Sequence, residues 1–78
     1  MIELYYFESC PFCQRVLGFL KENNVEYVAK DIQKDPANRE TLMQLGGKTQ
    51  VPFLNDPDKK TSMYESNDII EYVRANYL

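Results

Sequence analysis

There is no histidine in this chain, and cysteine occurs only twice. A structural zinc site needs four Cys or His ligands, so one monomer cannot build it and no metal site is expected. Two cysteines also fall short of the roughly two to four bridges that staple small secreted domains. Positive charge is not in excess: nine Lys and Arg stand against twelve Asp and Glu, a formal net charge of −3 with the signs mixed along the chain. That leaves no electrostatic footprint for nucleic acid or for an anionic membrane surface. No apolar run approaches the roughly 20 residues of a membrane span, and no charged start leads into an apolar stretch as in a secretory signal. The expected compartment is the cytoplasm. Internal repeats, linkers and low-complexity segments are missing as well.

What is present is 78 residues with an apolar fraction of 44%. That is ordinary for a globular protein and points to one small domain, 1–78, near the lower size at which a core alone holds a fold. Ile2 to Phe7 is apolar on both faces apart from Glu3, as in a central strand covered from both sides. A helix follows from Cys10 or Pro11, with proline at its first position and Asn23-Asn24 at its end. Phe12, Val16 and Leu20 share its apolar face with Cys13 and Leu17. Val25 to Ile32 reads as a second strand, less apolar and so nearer an edge. Asp35-Pro36 starts a second helix that runs to about Leu45 and ends at Gly46-Gly47 as a left-handed cap. Two strands joined through a helix favour a parallel, right-handed crossover.

Beyond this point the pattern changes to a hairpin. Pro52-Phe53-Leu54 is a short strand, Asn55 to Asp58 a turn, and Lys60 to Tyr64 the return strand. Ser66 is expected to cap a last helix whose stripe is Ile69, Ile70, Val73 and Tyr77. The order βαβαββα predicts an α/β fold with a four-stranded mixed sheet and three helices, the thioredoxin-like arrangement.

The chemistry centres on Cys10-Pro11-Phe12-Cys13. Cys-x-x-Cys at a strand-to-helix junction is the arrangement of a thiol–disulfide redox site. A thiol attacks a disulfide as its thiolate, and a helix start offers free N–H groups and a positive dipole end to hold one. Position assigns the roles: Cys10 attacks, and Cys13, one turn further in, resolves the mixed disulfide. The competing view is two reduced core cysteines, since cysteine is among the most buried residue types.

Cys10-Pro11-Phe12-Cys13, after a strand ending in Tyr5-Tyr6, resembles the dithiol site of the glutaredoxins. Val51-Pro52 resembles the loop in which the thioredoxin superfamily carries a cis-proline beside its active cysteines. Tyr64-Glu65-Ser66-Asn67-Asp68-Ile69 resembles the glutathione-binding turn of the N-terminal domain of glutathione transferases. The resemblance implies a glutathione-dependent oxidoreductase that reduces protein disulfides and glutathione mixed disulfides. Glutathione would be its co-substrate, with no tightly bound cofactor, and the protein would act as a monomer on disulfide-bonded or glutathionylated proteins. It also implies a tripeptide site beside Cys10. Val51 would pair its backbone with the cysteinyl part, flanked by Gln50 and Pro52. Ser66 and the helix-start N–H groups would hold the γ-glutamyl carboxylate, and Glu65 the ammonium. Lys48 is a candidate for the glycyl carboxylate and equally a solvated loop lysine. Arg15 is expected to be a surface charge, and Phe12 either a wall of the thiol site or the start of the buried helix face.

Two departures from the family pattern stand out. The lysine that glutaredoxins commonly carry shortly before the first cysteine is replaced by Phe7 and Glu8, and their Gly-Gly turn by Tyr64-Glu65. These leave two other readings open: a redoxin reduced by thioredoxin reductase, or a [2Fe-2S] carrier formed as a glutathione-bridged dimer through Cys10 of each subunit. Transferase activity would need a second, helical domain.

Overall fold

The computed structural model describes residues 1–78. Its elements are β1 (Ile2–Tyr6), α1 (Pro11–Glu22), β2 (Tyr27–Asp31), α2 (Pro36–Gly46), β3 (Phe53–Asp56), β4 (Thr61–Tyr64) and α3 (Ser66–Tyr77). The sheet order is β2-β1-β3-β4, with β1 parallel to β2 and antiparallel to β3, and β3 antiparallel to β4. This is the mixed four-stranded, three-helix thioredoxin-like fold expected from the element order. β1 lies centrally because both of its faces are apolar, and the less apolar β2 takes an edge.

Alternation along the strands divides the core in two. Ile2 and Leu4 of β1 and Leu54 of β3 join Val16, Leu17 and Leu20 of α1 and Ile69, Ile70 and Val73 of α3. On the other face Tyr5 and Phe53 meet Ile32 and Leu42, the latter being the sole buried residue of α2. Neighbouring side chains on a strand point to opposite faces, so Leu4 and Tyr5 serve different clusters. Each fully buried aliphatic chain contributes roughly 1.5–3 kcal/mol. The larger cluster fixes α1 and α3 side by side on one face, which brings their N-terminal ends to the same end of the molecule.

Several boundaries differ from the sequence expectation. β2 is shorter than Val25 to Ile32, because Asp31 closes it by accepting from the backbone N–H groups of Gln33 (2.8 Å) and Lys34 (2.9 Å). The hairpin turn lies at Pro57–Lys60, and Asn55 and Asp56 belong to β3. Asn55 donates to Glu3 across the sheet at 2.9 Å. Asp56 is fully buried and accepts from the hydroxyls of Tyr72 (2.7 Å) and Tyr77 (2.5 Å). The return strand accordingly begins at Thr61, after Lys60. Ser66 is not the cap of α3 but its first residue; Glu65 occupies the cap position, with φ 75° and no side-chain capping bond. Phe12 is 63% exposed, so the buried face of α1 starts at Cys13.

The C-terminal end of α2 closes as expected. Gly47 is left-handed at φ 82° and donates to the Met43 carbonyl at 2.8 Å. Gly46 has a separate reason to lack a side chain, since a Cβ there would overlap the Tyr64 hydroxyl. No helix is long and apolar enough to cross a membrane.

Candidate active site

Cys10 is the N-cap of α1, in extended backbone (φ −85°, ψ 113°), and Pro11 takes the first helical position. Both cysteines are free thiols. Cys10 is 6% exposed and Cys13 0%. The Cys13 backbone N–H donates to Cys10 Sγ at 3.3 Å, so the sulfur itself caps the helix. The carbonyl of Phe7 accepts from the Cys10 N–H at 3.2 Å and closes the loop between β1 and α1. Burial pushes the Cys13 thiol up to about 12, with the side-chain hydrogen bond to Cys10 acting in the same direction and a backbone hydrogen bond from Phe7 opposing it. Around neutral pH Cys13 is therefore a protonated thiol held behind Cys10.

Beside this helix start lies a cleft of about 350 Å³. Phe12 and Arg15 of α1 line one side, and Gln50, Val51 and Pro52 another. Glu65, Ser66 and Asn67, at the start of α3, complete it. Neither cysteine is among its lining residues. The Val51–Pro52 peptide bond is cis. Val51 N–H and C=O take part in no hydrogen bond within the protein, which leaves both for an extended ligand. Gln50 Nε2 donates to Glu65 Oε1 at 3.3 Å.

Lys48 does not line the cleft. Its ammonium lies 4.6 Å from the centre of the Tyr64 ring, and its carbonyl accepts from the Tyr64 hydroxyl at 2.8 Å. Tyr64 in turn packs at a tilt against Phe53, ring centres 4.6 Å apart, so Lys48 is held on the α2 side of the sheet. Glu8 is not directed at the thiols but pairs with Lys34 at 2.8 Å. Both side chains of that pair are exposed, so solvent screens it and it contributes little to stability. Phe7 packs on the smaller core cluster along with Val51.

Arg15, expected as a surface charge, bridges two elements instead. Its Nη1 donates to Ser66 Oγ at 3.5 Å and to Asn67 Oδ1. The signal for it is spacing. Arg15 follows exposed Phe12 by three residues, one turn on, so the two side chains are neighbours on the surface of α1. Asn67 was legible only as a first-turn residue of the last helix.

This arrangement defines a thioredoxin-fold redox protein, with a free dithiol at a helix start and a cis-proline loop beside it. Residues 4–78 match the glutathione S-transferase N-terminal domain family, and the chain belongs to it. Its relatives are glutaredoxin-like. It is 31% identical over 55 residues to an uncharacterised glutaredoxin-like 8.6 kDa protein in the rubredoxin operon of Clostridium pasteurianum, covering 70% of this chain and 73% of that protein. Among solved structures, the thioredoxin-like protein BC3987 superposes with a TM-score of 0.80 at 31% identity, over 96% of this chain and 97% of the other. Glutaredoxin 2 from Salmonella typhimurium, solved in complex with glutathione, superposes with a TM-score of 0.78 at 29% identity. That match takes in 94% of this chain and 32% of glutaredoxin 2, so this chain spans about a third of that protein.

Proposed function

We propose that residues 1–78 act as one domain, a glutathione-dependent thiol–disulfide oxidoreductase that reduces protein disulfides and glutathione mixed disulfides. The observation that supports it most is the free Cys10–Cys13 pair at the start of α1, with Cys13 N–H on Cys10 Sγ, beside a cleft that contains Val51-Pro52 and Glu65-Ser66. Likeness to a glutaredoxin 2 that was solved with glutathione adds to this.

In this reading Cys10 attacks as its thiolate. With a glutathionylated protein, the Cys10 sulfur bonds to the glutathione sulfur, the S–S bond to the protein breaks, and the protein leaves as a thiolate that takes up a proton. A second glutathione thiolate then attacks the glutathione sulfur on Cys10, releasing glutathione disulfide and restoring Cys10. With a protein disulfide, Cys10 forms a mixed disulfide with the substrate. Cys13 loses its proton, attacks Cys10 and displaces the reduced substrate, so the two electrons come from the dithiol and a Cys10–Cys13 disulfide remains. Two glutathiones reduce that disulfide. The high position of the Cys13 thiol fits a resolving group that ionises only as it attacks.

The test is a coupled assay with glutathione, glutathione reductase, NADPH and a mixed-disulfide substrate. Wild type is expected to turn over, and Cys10→Ser to lose activity by at least about a hundredfold, the scale of removing a nucleophile. Cys13→Ser should keep deglutathionylation and lose reduction of protein disulfides. Turnover undiminished in Cys10→Ser would sink the assignment.

A further inference from the structure

The segment that carries Val51 has almost no backbone hydrogen bonding of its own. Gly47 to Pro52 joins α2 to β3, and its one backbone bond runs from Gly47 N–H to the Met43 carbonyl, as part of the helix cap. Residues 48–52 take part in none. Their main chain is tied instead by a side chain from another strand. Tyr64, the last residue of β4, donates its hydroxyl to the Lys48 carbonyl at 2.8 Å. The segment's other hydrogen bond, Gln50 Nε2 to Glu65 Oε1 at 3.3 Å, joins two exposed side chains and leaves the main chain free.

Tyr64 is itself held from several sides, which makes its hydroxyl a fixed donor. Its ring packs against Phe53 and, with Val51 and Phe7, lies against the smaller core cluster. The Lys48 ammonium sits 4.6 Å from the ring centre. Gly46 leaves open the space that the hydroxyl fills, since a Cβ there would overlap it. A main chain without ladder bonds takes its place from whatever anchors it, and here the anchor lies three residues before Val51. Tyr64 does not line the cleft.

We infer that Tyr64 is a positioning residue for the proposed reaction: its hydroxyl, through the Lys48 carbonyl, sets where the Val51 main chain stands relative to Cys10. This rests on the glutathione-dependent activity proposed above, in which that main chain receives the cysteinyl part of the ligand. The hydroxyl acts on how the ligand is placed and leaves the reactivity of the Cys10 sulfur as it is.

The experiment compares Tyr64→Phe, which removes the hydroxyl and keeps the ring, with Tyr72→Phe, which loses a hydroxyl bond to Asp56 at the other end of β3. Thermal melts first establish that both are folded. In the coupled assay, kcat/KM of Tyr64→Phe with a glutathione mixed disulfide is expected to fall by about tenfold, mostly through KM, the scale of one lost hydrogen bond that places a ligand. Alkylation of Cys10 by iodoacetamide needs a thiolate and no ligand site, so it should stay within about twofold of wild type. Cys13, fully buried and protonated, does not compete for the reagent. Tyr72→Phe should keep both rates within about twofold, because its loss falls on stability alone. An undiminished kcat/KM in Tyr64→Phe overturns the inference, and so does a parallel fall in its alkylation rate or an equal fall of kcat/KM in Tyr72→Phe. The proposed activity survives all three results. A wild type that turns over no mixed disulfide overturns the activity and the inference together.

Discussion

Glu65 has a backbone that its side chain does not favour. At φ 75° and ψ 122° it takes a conformation that glycine adopts freely and a Cβ opposes, at a cost of about 1–3 kcal/mol. Glutaredoxins, in the resemblance drawn from the sequence, place a Gly-Gly turn there. Here a carboxylate occupies the strained position and faces the cleft. Glu65→Gly is therefore expected to separate two effects: unfolding shifts to higher denaturant by about 1 kcal/mol, while the rate with glutathione mixed disulfides falls by about tenfold. Denaturant unfolding and the coupled assay on one variant check both. A loss of stability would show that the Glu65 side chain does more for the fold than its backbone takes away. Cys13 makes a comparable point about pH. Its folded thiol is raised to about 12, so the reduced protein keeps this contribution below about pH 8.5, where unfolded cysteine begins to ionise, and loses it as pH rises toward 12. The unfolding midpoint of the reduced protein should fall relative to reduced Cys13→Ser between pH 8.5 and 10.5. Parallel curves would refute the burial argument.

Among the elements, α3 is fixed at both ends by polar contacts as well as by its apolar stripe. Its start meets Arg15 of α1, and its end meets Asp56 of β3 through Tyr72 and Tyr77. Burial acts to raise the Asp56 carboxyl, but the two tyrosine hydroxyls, the Lys59 N–H and the Lys59 charge outweigh it and hold it below the usual carboxylate range. Its contribution is then present above about pH 4 and is lost as pH falls below that value, where the unfolded carboxylate is protonated first. Tyr72→Phe and Tyr77→Phe should each lower stability by about 1–2 kcal/mol, and Asp56→Ala by about 3 kcal/mol, because the last leaves two hydroxyls without their acceptor. Chemical denaturation at pH 7 measures these losses, and at pH 3 the tyrosine variants should differ less from wild type. By contrast α2 buries only Leu42, with Asn38 donating to the Asp31 carbonyl at 3.1 Å, so it is the least firmly held of the three helices.

At the scale of the whole molecule, the function proposed depends on two helix starts meeting at one cleft. In that proposal α1 would bring the nucleophile and α3 the ligand-binding turn, and the two are far apart in the chain: Cys10 and Ser66 belong to opposite ends of it. The shared core of Val16, Leu17, Leu20, Ile69, Ile70 and Val73 sets their distance, and the Arg15 contacts set their registration. A change in that core is expected to act on rate as well as on stability, since the proposed function needs Cys10 at the start of α1 and the start of α3 held at a fixed distance.

The element order, the parallel crossover, the central place of β1, the Gly47 cap and the dithiol were all legible in the sequence, because each depends on local periodicity or on neighbouring residue types. Cys10-Pro11-Phe12-Cys13 carries its own meaning: proline, a helix start and two thiols one turn apart lie within four residues. Asp56 and Lys48 were not legible in this way. Asp56 looks like a turn residue until two tyrosines from the last helix are folded over it, and Lys48 looks like a free cation until Tyr64 is placed beneath it. The same holds for Arg15, which is a surface charge on an isolated helix and a bridge to Ser66 only once α3 lies alongside. The sequence determined by itself the chemistry proposed for this protein, since thiol reactivity needs only the two cysteines and a helix start. Which charges surround that chemistry was decided by tertiary packing, because long side chains choose their partners in space and not along the chain.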